Sequence, residues 1–158
     1  MITVRTRRPE GTAAIGRAVA TLVHPGDVVL LVGALGAGKT TFVQGLAGGL
    51  GYEGDVTSPT FTLRHTYGGR LDLVHADLWR LERRDEVLDL GLEEDLENGA
   101  VVVAEWGEGA EPIFGEDALV VHLWPGSSEE EREIGLETRG RWQERAGALA
   151  ALLGEVTV

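Results

Sequence analysis

Gly33-Ala34-Leu35-Gly36-Ala37-Gly38-Lys39-Thr40 decides how the rest of the chain is read. It follows the apolar run Val28 to Val32 and precedes Thr41-Phe42-Val43-Gln44-Gly45-Leu46-Ala47, so strand, loop and helix occur in the order that a phosphate cradle needs. The match to G-x-x-x-x-G-K-[ST] is complete. Val43, Leu46, Ala47 and Leu50 recur at the spacing of a half-buried helix. Glycines at 33, 36 and 38 let the backbone wrap an anion, with loop N–H groups and the positive end of the helix directed at it. Lys39 adds a point charge, and Thr40 offers a hydroxyl to a Mg2+ bridging the outer phosphates. A chain with 23 glycines invites the alternative of a chance glycine-rich turn. Composition argues against it, because Lys39 is the only lysine among 14 basic residues. A compact ammonium on a flexible stem reaches between phosphates as a planar guanidinium does not.

With 158 residues and 43% hydrophobic content, the chain is expected to form one domain over residues 1–158, large enough to bury a core. The absence of cysteine excludes disulfides, thiolate catalysis and Cys-ligated zinc. Nothing in the sequence resembles an apolar signal core, a membrane span or a basic presequence, so a soluble cytoplasmic protein with no membrane partner is expected. The formal net charge of -12 works against independent nucleic-acid binding, which draws its affinity from Lys and Arg. Most of that acidity has ordinary solubility as its explanation.

In chain order, Ile2 to Arg5 reads as a strand, and Thr12 as the cap of a helix carrying Ile15, Ala18, Val19 and Leu22 on one face. Gly48-Gly49-Leu50-Gly51 closes the helix after the cradle. Phe61 to Tyr67 and Arg70 to Ala76, separated by Gly68-Gly69, read as a hairpin with a two-residue turn whose second strand delivers Asp77. An acidic helix is expected over Glu82 to Leu90 and a second over Leu92 to Glu97, stopped by Asn98-Gly99. Val101 to Ala104 reads as a strand buried on both faces and ending at Glu105. A loop over Gly109 to Asp117 precedes strands at Leu119 to Leu123 and Arg132 to Thr138. Arg141 to Leu153 closes the chain as a helix with Trp142, Ala146, Leu149 and Leu153 inside. The pattern predicts an α/β P-loop NTPase fold: a mixed, mostly parallel sheet flanked by helices, with a β-hairpin insertion.

Ligands of open α/β sheets sit beyond the carboxyl ends of the strands, which brings Asp77 and Glu105 toward Lys39 and Thr40. Four apolar residues followed by an acid form a Walker B pattern, and Glu105 follows the purer run. Glu105 is therefore assigned to the metal with Thr40, and Asp77 to positioning water; a strand-end cap is the bland alternative for each. Thr57 to Thr60 is a candidate switch segment that brings Thr60 toward the γ-phosphate. Trp106 is either core or a reporter of nucleotide, and His24, His65, His75 and His122 show no ligand spacing and are read as structural.

Four stretches together resemble the TsaE (YjeE) family of bacterial tRNA threonylcarbamoyladenosine synthesis: residues 35–42 of the loop, Ser58-Pro59-Thr60-Phe61-Thr62-Leu63, His75-Ala76-Asp77-Leu78-Trp79-Arg80-Leu81, and Glu105-Trp106. The resemblance runs over nearly the whole chain. It implies ATP binding by Leu35, Gly36, Ala37, Gly38, Lys39, Thr40 and Thr41, Mg2+ at Thr40 and Glu105, and an essential Asp77. It also implies work alongside the TsaD and TsaB proteins and a nucleotide contact at the arginine before the last strand, Arg132; the net charge of -12 adds that tRNA is expected to be met only through such partners. Ala34 stands where the family usually has Asp, so any polar contact made there is lost.

Three functions compete on the sequence alone: a partner-activated ATPase, a small-molecule P-loop kinase and a binding module with a vestigial loop. A chain whose only lysine is Lys39 has no N-K-x-D guanine motif. A kinase lid is expected to be arginine-rich, whereas Leu81 to Glu97 is mainly acidic after Arg83-Arg84. Lysine, hydroxyl and two strand-end carboxylates are all present, which argues against a vestigial site.

Overall fold

The computed structural model describes residues 1–34, 36–59, 64–78, 90–106 and 115–155. Its elements, in chain order, are β1 (Ile2–Thr6), α1 (Pro9–Ala20), β2 (Val28–Val32), α2 (Lys39–Gly49), β3 (Arg64–Tyr67) and β4 (Leu73–Asp77). They continue with α3 (Leu92–Glu97), β5 (Val101–Trp106), β6 (Leu119–Pro125), β7 (Arg132–Thr138), a 3-10 helix (Gly140–Arg145) and α4 (Ala146–Glu155). The helix expected over Glu82 to Leu90 lies, Leu90 apart, outside the described residues. None of the described helices is long and apolar enough to cross a membrane.

The unbroken aliphatic runs of β2 and β5 have no polar alternation because both faces of these strands are covered. They pair in parallel at the centre of a seven-stranded sheet of order β1-β7-β6-β2-β5-β4-β3. β6, β2, β5 and β4 are parallel to their neighbours in this set, while β1, β7 and β3 add antiparallel edges. The sheet is thus mixed, parallel in the middle, and β3 with β4 supplies the expected hairpin. One face, with Val29, Leu31, Val103 and Val121, packs on Ile15 and Val19 of α1, Phe42 and Leu46 of α2, and Leu149 of α4. The other, with Leu30, Val74, Ala76, Val102 and Val120, packs on Leu92 of α3. Trp106 belongs to this second face, so it is a core residue on the side opposite Glu105.

α1 and α2 meet backbone to backbone. A Cβ on Gly45 would lie 1.9 Å from the Ala13 carbonyl oxygen, and one on Gly16 would lie 2.3 Å from that of Phe42. No side chain fits between these helices at the crossing, and the tight approach sets the height of α2 over the sheet.

Several local readings differ from the sequence expectation. Thr12 does not cap α1, because Pro9, with φ preset for the first helical turn, starts the helix earlier. Thr12 is instead buried within the helix, its hydroxyl 3.1 Å from that of Thr6 on β1. The β3–β4 connection spans residues 68–72, not two residues, since Tyr67 registers with Leu73. Neither Gly68 nor Gly69 has the positive φ that a two-residue turn of type I′ requires. Gly69 is needed for another reason: its Cβ would fall 2.3 Å from the Leu50 carbonyl, which accepts the Arg70 N–H. The last helix opens as a 3-10 turn holding Trp142, and only then becomes α4.

That turn is capped from a distance. Gly140, at φ +60°, leaves room for Asp117, whose Oδ1 accepts the Arg141 N–H at 2.8 Å. Arg141 Nε also donates to Oδ2 at 3.1 Å. Just before β2, the fully buried Asp27 accepts from Arg145 Nη1 at 2.5 Å and Nη2 at 3.2 Å, and from its own turn at His24 N. Arg145 lies 4.5 Å over the Trp142 ring, so the C-terminal segment is clasped to the entrance of the central strand.

Two outcomes are expected. Gly45→Ala should destabilise by roughly 3 kcal/mol or more, because only backbone stands in the way. Gly48→Ala on the exposed side of the same helix, where a Cβ meets nothing within 4 Å, should stabilise by up to about 1 kcal/mol. Urea unfolding of the pair checks this; equal effects would sink the close-packing account. Asp117→Ala should cost about 1 kcal/mol at pH 7. The Arg141 N–H and guanidinium hold the Asp117 carboxyl below its ordinary 3.8, so the unfolded chain takes up its proton first as pH falls. The stabilisation is therefore full above 3.8 and lost as pH drops through the native value. Thermal melts should show the gap between wild type and variant closing only in that acid range.

Candidate nucleotide site

The site is assembled at the carboxyl end of β2. Gly33 leaves the strand in close packing, since a Cβ there would sit 2.8 Å from the Leu123 carbonyl oxygen of β6. Gly36 and Gly38 adopt φ +78° and +102°, which L side chains rarely take. Gly38 is the N-cap of α2, and neither a side-chain cap nor an acidic residue in the first turn neutralises the helix start. The amides there and the dipole behind them are left for an anion. Lys39 is the first residue of α2 and is buried, with Nζ donating to the Gly33 carbonyl at 2.7 Å. The ammonium is folded across the loop it belongs to. Ala34 is exposed, and its carbonyl accepts from Ala37 N in the turn. Thr40 and Thr41 are half-buried on the first turn; Leu35 lies outside the described residues.

The parallel register supplies the acids. Leu31 of β2 pairs with Glu105 of β5, and Glu105 in turn pairs with Asp77 of β4. Paired residues share a face, so both carboxylates project on the side that carries α1 and α2, next to the end of β2. Both are buried. The sequence placed Glu105 at the end of its strand; it is the penultimate residue, since pairing continues through Val32 and Trp106. Glu105 Oε2 accepts from His75 Nε2 at 2.8 Å and, more weakly at 3.5 Å, from the Ser58 hydroxyl. Ser58 belongs to the expected switch segment, whose Thr60 lies outside the described residues. The neighbouring Thr57 carbonyl accepts from the Tyr67 hydroxyl at 3.0 Å. Burial pushes the Tyr67 phenol above its ordinary value, and the nearby Glu105 carboxylate adds to the rise, so it remains a donor.

Arg132 reaches the loop from the opposite side of β2. Nε donates to the Ala37 carbonyl and Nη2 to that of Gly36, both at 3.0 Å, while Nη1 holds the Glu129 and Glu131 carbonyls. The guanidinium therefore braces the cradle against the β6–β7 turn. It also lines a cleft of about 410 Å³ with Pro9, Thr12, Gly38, Thr41, Glu129 and Glu130, a size suited to a small organic ligand. Sequence reasoning found Arg132, Gly38 and Thr41 but not Pro9, Thr12, Glu129 or Glu130, which carry no motif. It also read His75 as structural, whereas the ring contacts the candidate metal carboxylate.

The donor set fits a hard cation together with a phosphate ligand. A hydroxyl at Thr40 and a carboxylate at Glu105 are oxygen donors. Among the described residues no cluster of three or more His, Cys, Asp or Glu side chains forms a cage for a metal. Mg2+ characteristically takes one or two carboxylates and completes its shell from phosphates and water, so a site without a cage suits it.

Comparison with known proteins agrees with this reading of the fold and with the family resemblance. Residues 6–134 match the family model described as TsaE, threonylcarbamoyl adenosine biosynthesis protein TsaE. The tRNA threonylcarbamoyladenosine biosynthesis protein TsaE of Bacillus subtilis is 44% identical over 131 residues, 82% of this chain and 81% of that protein. Its namesake from Treponema pallidum is 48% identical over 103 residues, 65% and 76% of the two chains. The crystal structure of Bacillus subtilis YdiB superposes with a TM-score of 0.74 at 34% identity, over 97% of this chain and 93% of that one. This seven-stranded sheet, with the glycine-rich loop it carries, thus belongs to a member of the TsaE family, whose role is in tRNA threonylcarbamoyladenosine biosynthesis.

Proposed function

We propose that this chain binds ATP with Mg2+ at the P-loop and hydrolyses it, as the ATPase subunit that supports tRNA threonylcarbamoyladenosine synthesis beside TsaD and TsaB-type proteins. The observation that carries the proposal is the register that sets Asp77 opposite Glu105, one strand from the loop bearing Lys39. The residue roles follow from chemistry. Gly36, Gly38 and the first turn of α2 offer N–H groups to the phosphates, with Leu35 and Ala37 as part of the same loop. Lys39 exchanges the Gly33 carbonyl for phosphate oxygens, a stronger charge-assisted partner. Thr40 and Glu105 hold the metal, which when bound neutralises charge developing on the outer phosphates. Asp77 orients the attacking water. The cleft flanked by Thr41, Thr12 and Arg132 takes the nucleoside end.

Arg132 contacts the nucleotide at the cleft wall while its nitrogens remain engaged with loop carbonyls, so it is poorly placed to stabilise transition-state charge as a finger. That leaves Lys39 as the main cation at the phosphates among the described residues and makes a slow enzyme alone. A partner-supplied arginine is worth roughly 10³ to 10⁵ in rate. With a net charge of -12, tRNA is engaged through the partners.

Lys39→Ala should weaken ATP binding by about 100-fold with the fold retained. Glu105→Gln should abolish hydrolysis while keeping most of the binding. Equilibrium titration with a fluorescent ATP analogue and single-turnover assays check both; unchanged affinity in the lysine variant would remove the P-loop from the mechanism. Turnover should rise when a TsaD–TsaB-type complex is added, and the ATP state should bind that complex more tightly than the ADP state. Rapid hydrolysis by the isolated chain, or association indifferent to nucleotide, would defeat the partner-activated scheme.

A further inference from the structure

We propose that His75 is a positioning residue that fixes the Glu105 carboxylate for the metal, an inference that rests on the assignment of Glu105 made above. His75 lies on β4 two residues before Asp77 and registers with Val103, so Glu105 is its diagonal neighbour on β5. That diagonal is within reach of a long side chain, and the imidazole spans it: Nε2 stands 2.8 Å from Oε2, with the histidine side chain fully buried and that of Glu105 6% exposed. A carboxylate has no hydrogen to give, so Nε2–H is the donor.

Two details separate this contact from ordinary core packing. Both hydrogen bonds found on Glu105, from His75 and from Ser58, fall on Oε2, and no described residue donates to Oε1. Among the described residues, one oxygen is anchored and the other has no donor. The second detail is His75 Nδ1, buried with no partner among the described residues. A leucine or phenylalanine at this position would fill the buried space beside Tyr67 without stranding a polar atom. The ring is thus costly as packing and useful through a single nitrogen. Glutamate has three side-chain torsions, and a metal-ligating carboxylate held by an outer hydrogen bond is confined to the rotamer that binds.

The test compares His75→Gln, His75→Asn and His75→Phe with Glu105→Gln, measuring affinity for a non-hydrolysable ATP analogue in EDTA and across a Mg2+ titration, with thermal melts alongside. The glutamine amide reaches about as far as Nε2, whereas asparagine is equally polar but too short. All three histidine variants should bind the analogue in EDTA as the wild type does. The Mg2+ concentration for half-maximal tightening should rise 10- to 100-fold in His75→Asn and His75→Phe, and return most of the way in His75→Gln. The melting temperatures should not follow that order. Equal Mg2+ requirements in the glutamine and asparagine variants, with Glu105→Gln raising its own, would overturn the role of His75 and leave the metal assignment standing. A Glu105→Gln variant with the wild-type Mg2+ requirement would instead remove the metal assignment itself.

Discussion

The place of the phosphate cradle depends on how closely α1 and α2 approach. Where Gly45 faces the Ala13 carbonyl and Gly16 faces that of Phe42, the two helices are separated by hydrogen atoms alone. The first turn of α2, which carries Lys39 and Thr40, is therefore held at one height over the sheet by contacts that cannot relax through a side-chain rotamer. The same approach brings Thr12 of α1 beside Gly38, where the methyl of the threonine would meet any added Cβ at 3.8 Å. Loop geometry and cleft wall are thus products of one helix crossing, set from below by the aliphatic faces of Val29, Leu31 and Val121.

The parts of the site differ in how firmly they are held. Arg132 ties the carbonyls of Gly36 and Ala37 to the turn before β7, and Lys39 closes on Gly33, so three carbonyls of the loop are engaged while the uncapped start of α2 is left open. The acids are anchored by the sheet register and, for Glu105, by the neighbouring imidazole. The segment at Thr57 and Ser58 has looser tethers, a tyrosine hydroxyl on one carbonyl and a long contact to Glu105. This gradation, from rigid loop to lightly tied segment, is what a nucleotide needs if its presence is to be felt elsewhere in the protein.

Much of this was readable in one dimension because it is local. The loop from Gly33 to Thr40 carries its own motif, and the runs before Asp77 and Glu105 signal buried strands whose ends face the same edge. α3 at Leu92–Glu97 and β7 at Arg132–Thr138 begin and end where the pattern placed them. What was not readable depends on distant partners. Pro9 moved the start of α1 away from Thr12, but the pairing of Thr12 with Thr6 needs β1 beside the helix. Gly68 and Gly69 resembled a tight turn, yet Gly69 is set by the approach of Leu50, far off in sequence. His75 showed no ligand spacing because its partner is on the next strand, 30 positions away. Glu129 and Glu130 reach the cleft only because Arg132 folds the turn against the loop.

The outer strands have a consequence for how the molecule comes into being. β1 pairs with β7, so Ile2 finds Leu136 and Thr6 finds Arg132. During synthesis β1 waits for β7 to emerge before it has a neighbour in the sheet, and the entropy of closing so long a loop must be met late. Arg132 sits at the same junction as the brace of the cradle. A nascent chain released before β7 therefore carries the glycine-rich loop in its sequence but lacks the arginine that braces it, and the final shape of the loop arrives together with the completed sheet.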